Sequence, residues 1–173
     1  MIYTKTSTHL IEHLIKPKNS DDSDDSHYNG YSLTPKSIYS NDSALIVYTT
    51  YEDLPNFFNN ITTVDFPNIF EILYTLVKDD PDWRVQFDVI ENLRIINKYS
   101  PKELKPYLGQ FSIFLQRCID NLRTNLSKNT LLLMKELFLH FKDIDPSEEF
   151  LNINLSKVLE KAISDKGFIK TEA

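Results

Sequence analysis

From residue 65 onward the apolar residues step by threes and fours, and the steps are interrupted at regular intervals. Phe66, Ile69, Phe70, Leu73 and Val77 make a first stripe, the spacing of one face of an α-helix. Asp80-Pro81 breaks it. Val85, Val89, Leu93 and Ile96, with Ile90 beside them, make a second. Ser100-Pro101-Lys102-Glu103 reads as a capping box with proline at the first helical position. Leu104, Tyr107, Leu108, Phe111, Leu115, Cys118 and Leu122 follow it on one face. Thr130, Leu133, Met134, Leu137, Phe138 and Phe141 form a fourth stripe. Asp145-Pro146-Ser147-Glu148 repeats the capping logic ahead of Leu151, Leu155, Val158, Leu159 and Ala162. The connections are short, so successive helices are expected to lie antiparallel.

The breaks recur. One falls at Asp82-Trp83-Arg84, one at Leu122-Arg123-Thr124-Asn125 and one at Asp165-Lys166-Gly167, about 40 to 43 residues apart. Paired helices at that period are the signature of HEAT repeats. In such a stack the loops inside successive pairs fall on the same edge. Trp83 and Arg84, Arg123 and Lys128, and Lys166 and Lys170 are therefore expected along one ridge, an aromatic and several cations on one side of an acidic chain. That ridge suits an acidic protein surface. The fold expected is all-α: a right-handed α-solenoid (armadillo-like) of antiparallel helix pairs.

Composition agrees. Only 3 of the 173 residues are glycine, too few for a fold built on many left-handed turns or on a glycine-rich phosphate loop. Eleven Phe and nine Tyr supply a large core. One Cys excludes an internal disulfide framework and a multi-cysteine zinc module. The net charge of −6 argues against general nucleic-acid binding. No apolar run approaches a membrane span or a signal-peptide core, which points to the cytoplasm or the nucleus and to no membrane partner. Two thirds of the net charge, −4 of −6, lies in residues 1–60, and four regions are expected. Residues 1–16 form a short amphipathic helix, 17–43 a disordered acidic linker, 44–64 an irregular or short helical segment, and 65–173 the repeat domain.

The loop sequences also resemble a known family. DWRVQFDVIENLR (82–94) is similar to the opening of a TOG domain, where Asp-Trp starts the second helix of the first repeat. NLRTNLSKNTLLLMKELFLHF (121–141) resembles that family's second repeat, and SDKGFIKTEA (164–173) the start of the third repeat's second helix. The CLASP-type and crescerin-type TOG domains are the nearest in flavour. The resemblance covers about residues 65–173. It implies a partial domain of about three helix pairs out of the family's six, breaking off in the third. It also implies binding of tubulin or microtubules through the loop edge, without catalysis or a cofactor, by a monomer acting on microtubule growth or stability. The cytoskeleton is the implied site, with the cilium as one setting. Carried over residue by residue, Trp83, Arg123, Lys128 and Lys166 meet tubulin, with Arg84 and Lys170 beside them. Gln86 stands three after the tryptophan, where the family usually carries a basic residue.

Other readings compete. Trp83 also suits a helix-start residue packed on the core. A generic HEAT or armadillo-type adaptor, gripping a peptide on its helical face, fits the same periodicity. His9-Leu10-Ile11-Glu12-His13 matches the inverted zinc-protease pattern by letter, but no catalytic domain surrounds it, and no metal is expected. Cys118 belongs to an apolar stripe and reads as core. Lys135, Lys142, Lys157 and Lys161 read as solvated helix faces. Three Asn-x-Ser/Thr triplets are coincidental without a signal peptide. Ser20 and Ser23, each before two acids, and Thr34-Pro35 are candidate phosphorylation sites.

Overall fold

A computed structural model describes residues 49–59, 63–140 and 146–163. All regular structure among them is helical: α1 (Phe66–Val77), α2 (Trp83–Tyr99), α3 (Pro101–Leu104), a 3-10 turn (Lys105–Tyr107), α4 (Leu108–Ile119), α5 (Thr124–Leu139) and α6 (Glu148–Ala162). The expected regions 1–16 and 17–43 lie outside the described residues, as do Phe141, Lys142 and residues 164–173. In the 44–64 region the described residues form no helix; a turn at 51–53 leads into irregular chain.

The helix starts follow from local chemistry. The Asp65 carboxylate accepts from the Asn68 N–H, Asp82 from Arg84 at 2.9 Å, and the Ser147 hydroxyl from Phe150 at 3.2 Å, each satisfying an orphan donor of the first turn. The capping box at Ser100 does not form. Ser100 terminates α2, and its N–H is taken by the Ile96 carbonyl at 2.7 Å. Glu103 therefore has no free N–H to reach back to, and the Ser100 side chain makes no cap bond. The helix that follows is also shorter than its stripe suggests. Pro106 has no N–H for the carbonyl one turn back, so α3 gives way to the 3-10 turn and α4 starts afresh at Leu108.

α2 is the centre of the molecule. Every residue from Val85 to Asn97 is buried, polar ones included. Its main neighbour is α5, while α4 packs on both α5 and α6, and α1 on both α2 and α4. α2 and α5 run side by side in the same direction: Phe87 meets Asn129, and seven residues on, Arg94 meets Glu136. The aromatic residues collect between α1, the 3-10 turn and α4. Phe70 stacks on Tyr107 with centroids 4.1 Å apart, and Phe111 is met edge-on by Tyr74 at 5.9 Å.

Four stripe residues depart from expectation. Leu122 is 94% exposed, because α4 stops at Ile119 and the chain turns back there, with the Asn121 N–H on the Cys118 carbonyl. Leu155 and Leu159 are exposed as well. α6 presents Phe150 and Asn154 to the core in their place, together with the expected Val158, so the buried face is turned by one residue, about 100°. Phe138 is also partly exposed, although it belongs to the fourth stripe.

Candidate functional site

The loop edge is built at the N-termini of α2 and α5. The α1–α2 loop is fixed from both sides. Asp80 takes up a left-handed conformation (φ 51°), which Asp tolerates better than most residues. The buried Gln86 amide donates to the Pro81 carbonyl at 2.7 Å and to Asp80 at 3.3 Å. Arg117 of α4 reaches the Val77 carbonyl and the Asp80 carboxylate. Gln86, standing where the resembled family usually has a cation, is thus a structural brace.

On this base Trp83 opens α2 half-buried, its ring packed against the edge of the core. The Arg84 guanidinium lies over the ring, 5.8 Å from its centroid. So does that of Arg123, forty residues away in the chain, at 4.8 Å. Arg123 is the N-cap residue of α5, in extended conformation, with its N–H held by the Asn121 side chain at 2.9 Å. Trp83 serves as both a packing residue and a surface platform, so the two readings of it coexist. Of the acids nearby, Asp82 is engaged as the cap and Asp80 by Arg117 and Gln86.

Of the six residues expected on the ridge, the structure brings Trp83, Arg84 and Arg123 together. Lys128 lies in the second turn of α5, half-buried. Lys166 and Lys170 lie outside the described residues. Lys157 and Lys161 are not plain solvated charges. Both ammonium groups pair with Asp120 at the foot of the second loop, at 3.0 and 3.2 Å. Partial burial of Asp120 works to raise its pKa, but these hydrogen bonds outweigh it and hold the carboxyl below its usual range. α6 is thereby tied to the loop edge.

A second polar constellation was not visible in the sequence. Arg94, with no exposed surface, donates from Nε and Nη2 to the Glu136 carboxylate at 2.6–3.1 Å. Its Nη1 donates to Glu91 and to the Asn129 amide oxygen, each at 2.8 Å. Burial opposes the charge on Arg94, but bonds to Glu136 and Glu91 overcome it and raise its pKa further. Burial lifts the Glu136 carboxyl above the glutamate range, and the hydrogen bonds from Arg94 offset this only in part. Nothing in ENLRIIN distinguishes these residues from a solvated face: a Glu91–Arg94 pair three apart suits either setting, and the other partners, Asn129 and Glu136, lie 35 and 42 residues away.

Among the described residues no cluster of three or more His, Cys, Asp or Glu is placed to hold a metal ion; His9, Glu12 and His13 lie outside them. Cys118 is fully buried, with its thiol on the Gln86 side-chain oxygen at 3.5 Å and its pKa pushed by burial up to about 12. A thiol held protonated in this way is a core residue and a poor nucleophile. No described helix is long and apolar enough to cross a membrane. Comparison with protein-family models, with curated proteins and with solved structures finds no match to this chain.

Proposed function

We propose that this chain is a protein-binding module of stacked HEAT-like helix pairs whose loop edge docks on an acidic protein surface, and that αβ-tubulin is the partner, as the resemblance to TOG domains implies. The observation that carries the reading is the meeting of Arg123 with Trp83. Two loops forty residues apart contribute one composite surface, as adjacent repeats of a stack would. The parallel register of α2 and α5 at a 42-residue offset supports the same repeat. α1 with α2 and α4 with α5 are its first two pairs, and α6 opens the third.

The mechanism is loop-edge docking. An aromatic platform bearing two guanidiniums presents fixed positive charge, and arginine and tryptophan are the side chains that most often dominate interface energetics. Attraction to an acidic surface chiefly speeds and orients encounter. The test is co-sedimentation with tubulin and with microtubules. The wild-type chain is expected to pellet with the polymer in a salt-dependent way. A Trp83→Ala/Arg123→Glu variant is expected to remain in the supernatant. If the two behave alike, tubulin docking through this edge is wrong.

A further inference from the structure

The opposite ends of α2 and α5 hold a ligand already, a segment of the same chain. Residues 49–54 run along the C-terminal half of α2. The Thr49 N–H donates to Glu91 at 3.4 Å. The Lys98 ammonium donates to three backbone carbonyls in turn, Tyr51 at 2.6 Å, Glu52 at 3.0 Å and Leu54 at 3.3 Å. The Tyr99 hydroxyl donates to the Leu54 carbonyl at 2.6 Å. Two side chains are read as well. Leu54 is inserted into the core, 2% exposed. The Tyr51 ring lies under the Lys98 ammonium at 5.1 Å, and its hydroxyl shares a 2.7 Å hydrogen bond with His140 Nε2. Glu52 and Asp53, between them, are exposed.

The segment is held as a turn, with the Leu54 N–H on the Tyr51 carbonyl at 3.4 Å, and the cleft treats it as peptide-recognition sites do: donors to main-chain carbonyls give affinity, and pockets for Tyr51 and Leu54 give selectivity. Leu54 shares the helices' apolar core, but the polar contacts are separate from those that hold the helices together. α2 and α5 are joined by Arg94, Glu136 and Asn129, whereas the segment is held by Lys98, Tyr99 and His140. The two sets meet at Glu91 Oε1, which accepts from both Arg94 and Thr49. We propose that the C-terminal half of α2, with His140, is a peptide-binding cleft selective for Tyr-x-x-Leu turns, occupied in cis by Tyr51–Leu54 and able to exchange it for the same motif from a partner protein. Lys98 and Tyr99, the main donors of the cleft, stand at the far end of α2 from Trp83, about 22–24 Å along the helix, so the cleft does not rest on the docking proposed above.

The experiment uses the full chain carrying Tyr51→Ala and Leu54→Ala, and a fluorescein-labelled peptide Thr-Tyr-Glu-Asp-Leu-Pro-Asn read by anisotropy. The double variant is expected to bind the peptide at least about tenfold more tightly than wild type, whose own segment competes. Adding Lys98→Ala is expected to weaken binding by about tenfold or more, the loss typical of a charged hydrogen-bond donor. A double variant that keeps its helical circular dichroism and binds no peptide, or binding indifferent to Lys98→Ala, overturns the proposal. If the double variant does not fold, hydrogen exchange on the wild-type chain decides. The Thr49 and Leu54 amides are expected to exchange at least about tenfold faster than those of Ile95 and Ile96, and faster still with unlabelled peptide in excess. Exchange of all four amides in one event, unmoved by peptide, overturns it.

Discussion

Arg94 and Arg123 are the same side chain in two surroundings. Arg94 sits in mid-helix with no exposed surface, its guanidinium bonded to two carboxylates and an amide. Arg123 sits at the head of α5, exposed, over one face of Trp83. Both join α2 to α5, yet they do different work. Removing the first strands two buried acids; removing the second exposes part of an aromatic ring to water. The cost of losing a cation is set by what it leaves behind. Arg94 is therefore a folding residue that fixes which part of α5 faces which part of α2. Arg123 is a residue the fold can spare, and so one available to a partner.

The contrast breaks first at Arg94. Arg94→Ala is expected to destabilise the chain by about 3–5 kcal/mol, the usual cost of leaving a buried charge unpaired, as read by urea unfolding. A loss below about 1 kcal/mol would mean that the acids find water and that the cluster is not closed. Replacing Arg94, Glu91 and Glu136 together with Met or Leu is expected to recover most of the loss, because no charge then remains to be paired.

Glu136 sharpens the same point through pH. Its folded-state carboxyl is raised by burial, so the folded chain holds this proton to higher pH than the unfolded chain does. Its contribution to stability is complete below the unfolded value and is lost as pH rises through the raised one. The slope is at most about 1.4 kcal/mol per pH unit. Glu136→Gln is expected to abolish this slope relative to wild type. A variant whose stability parallels wild type across the window would show that Arg94 keeps the carboxylate ionised throughout.

At the edge the effects are smaller. Arg123→Ala is expected to cost about 0.5–1 kcal/mol, the range of an exposed cation–π contact. Trp83 is the only tryptophan in the chain, so its emission should change in the variant while the helical circular dichroism stays as it was. Unchanged emission would mean that the guanidinium does not dwell on the ring. Asp120→Asn should do least, under about 1 kcal/mol after solvent screening. The Asp120 carboxyl is held low by Lys157 and Lys161, so its contribution is present above the unfolded value and is lost as pH falls through the folded one. Identical acid-unfolding midpoints in wild type and variant would show that the α6 lysines do not bind it in solution.

Much of this was legible in the chain itself. The break at Asp80-Pro81, the helix start near Ser147-Glu148 and the stripes of α1 and α2 are local chemistry, and local chemistry is written in neighbouring residues. The spacing of about 40 residues anticipated that Trp83 and Arg123 would share an edge. The misreadings have equally local causes. Ser100 could not act as expected because it serves two helices at once. Leu122 reads as part of a stripe until the turn at Asn121 ends its helix.

What the sequence by itself determined is the helical character and which residues stand at the breaks between helices, because the apolar period and the turn residues act over a few positions. The tertiary structure alone decided that α2 would be buried on every side and that Arg94 would be enclosed by Glu91, Asn129 and Glu136. It also decided that Tyr51 and Leu54 would be held by Lys98. Apart from Glu91, the partners in these contacts stand 35 to 47 residues apart. A polar residue carries no local mark of whether water or another helix will satisfy it, and only the packed chain supplies the partner.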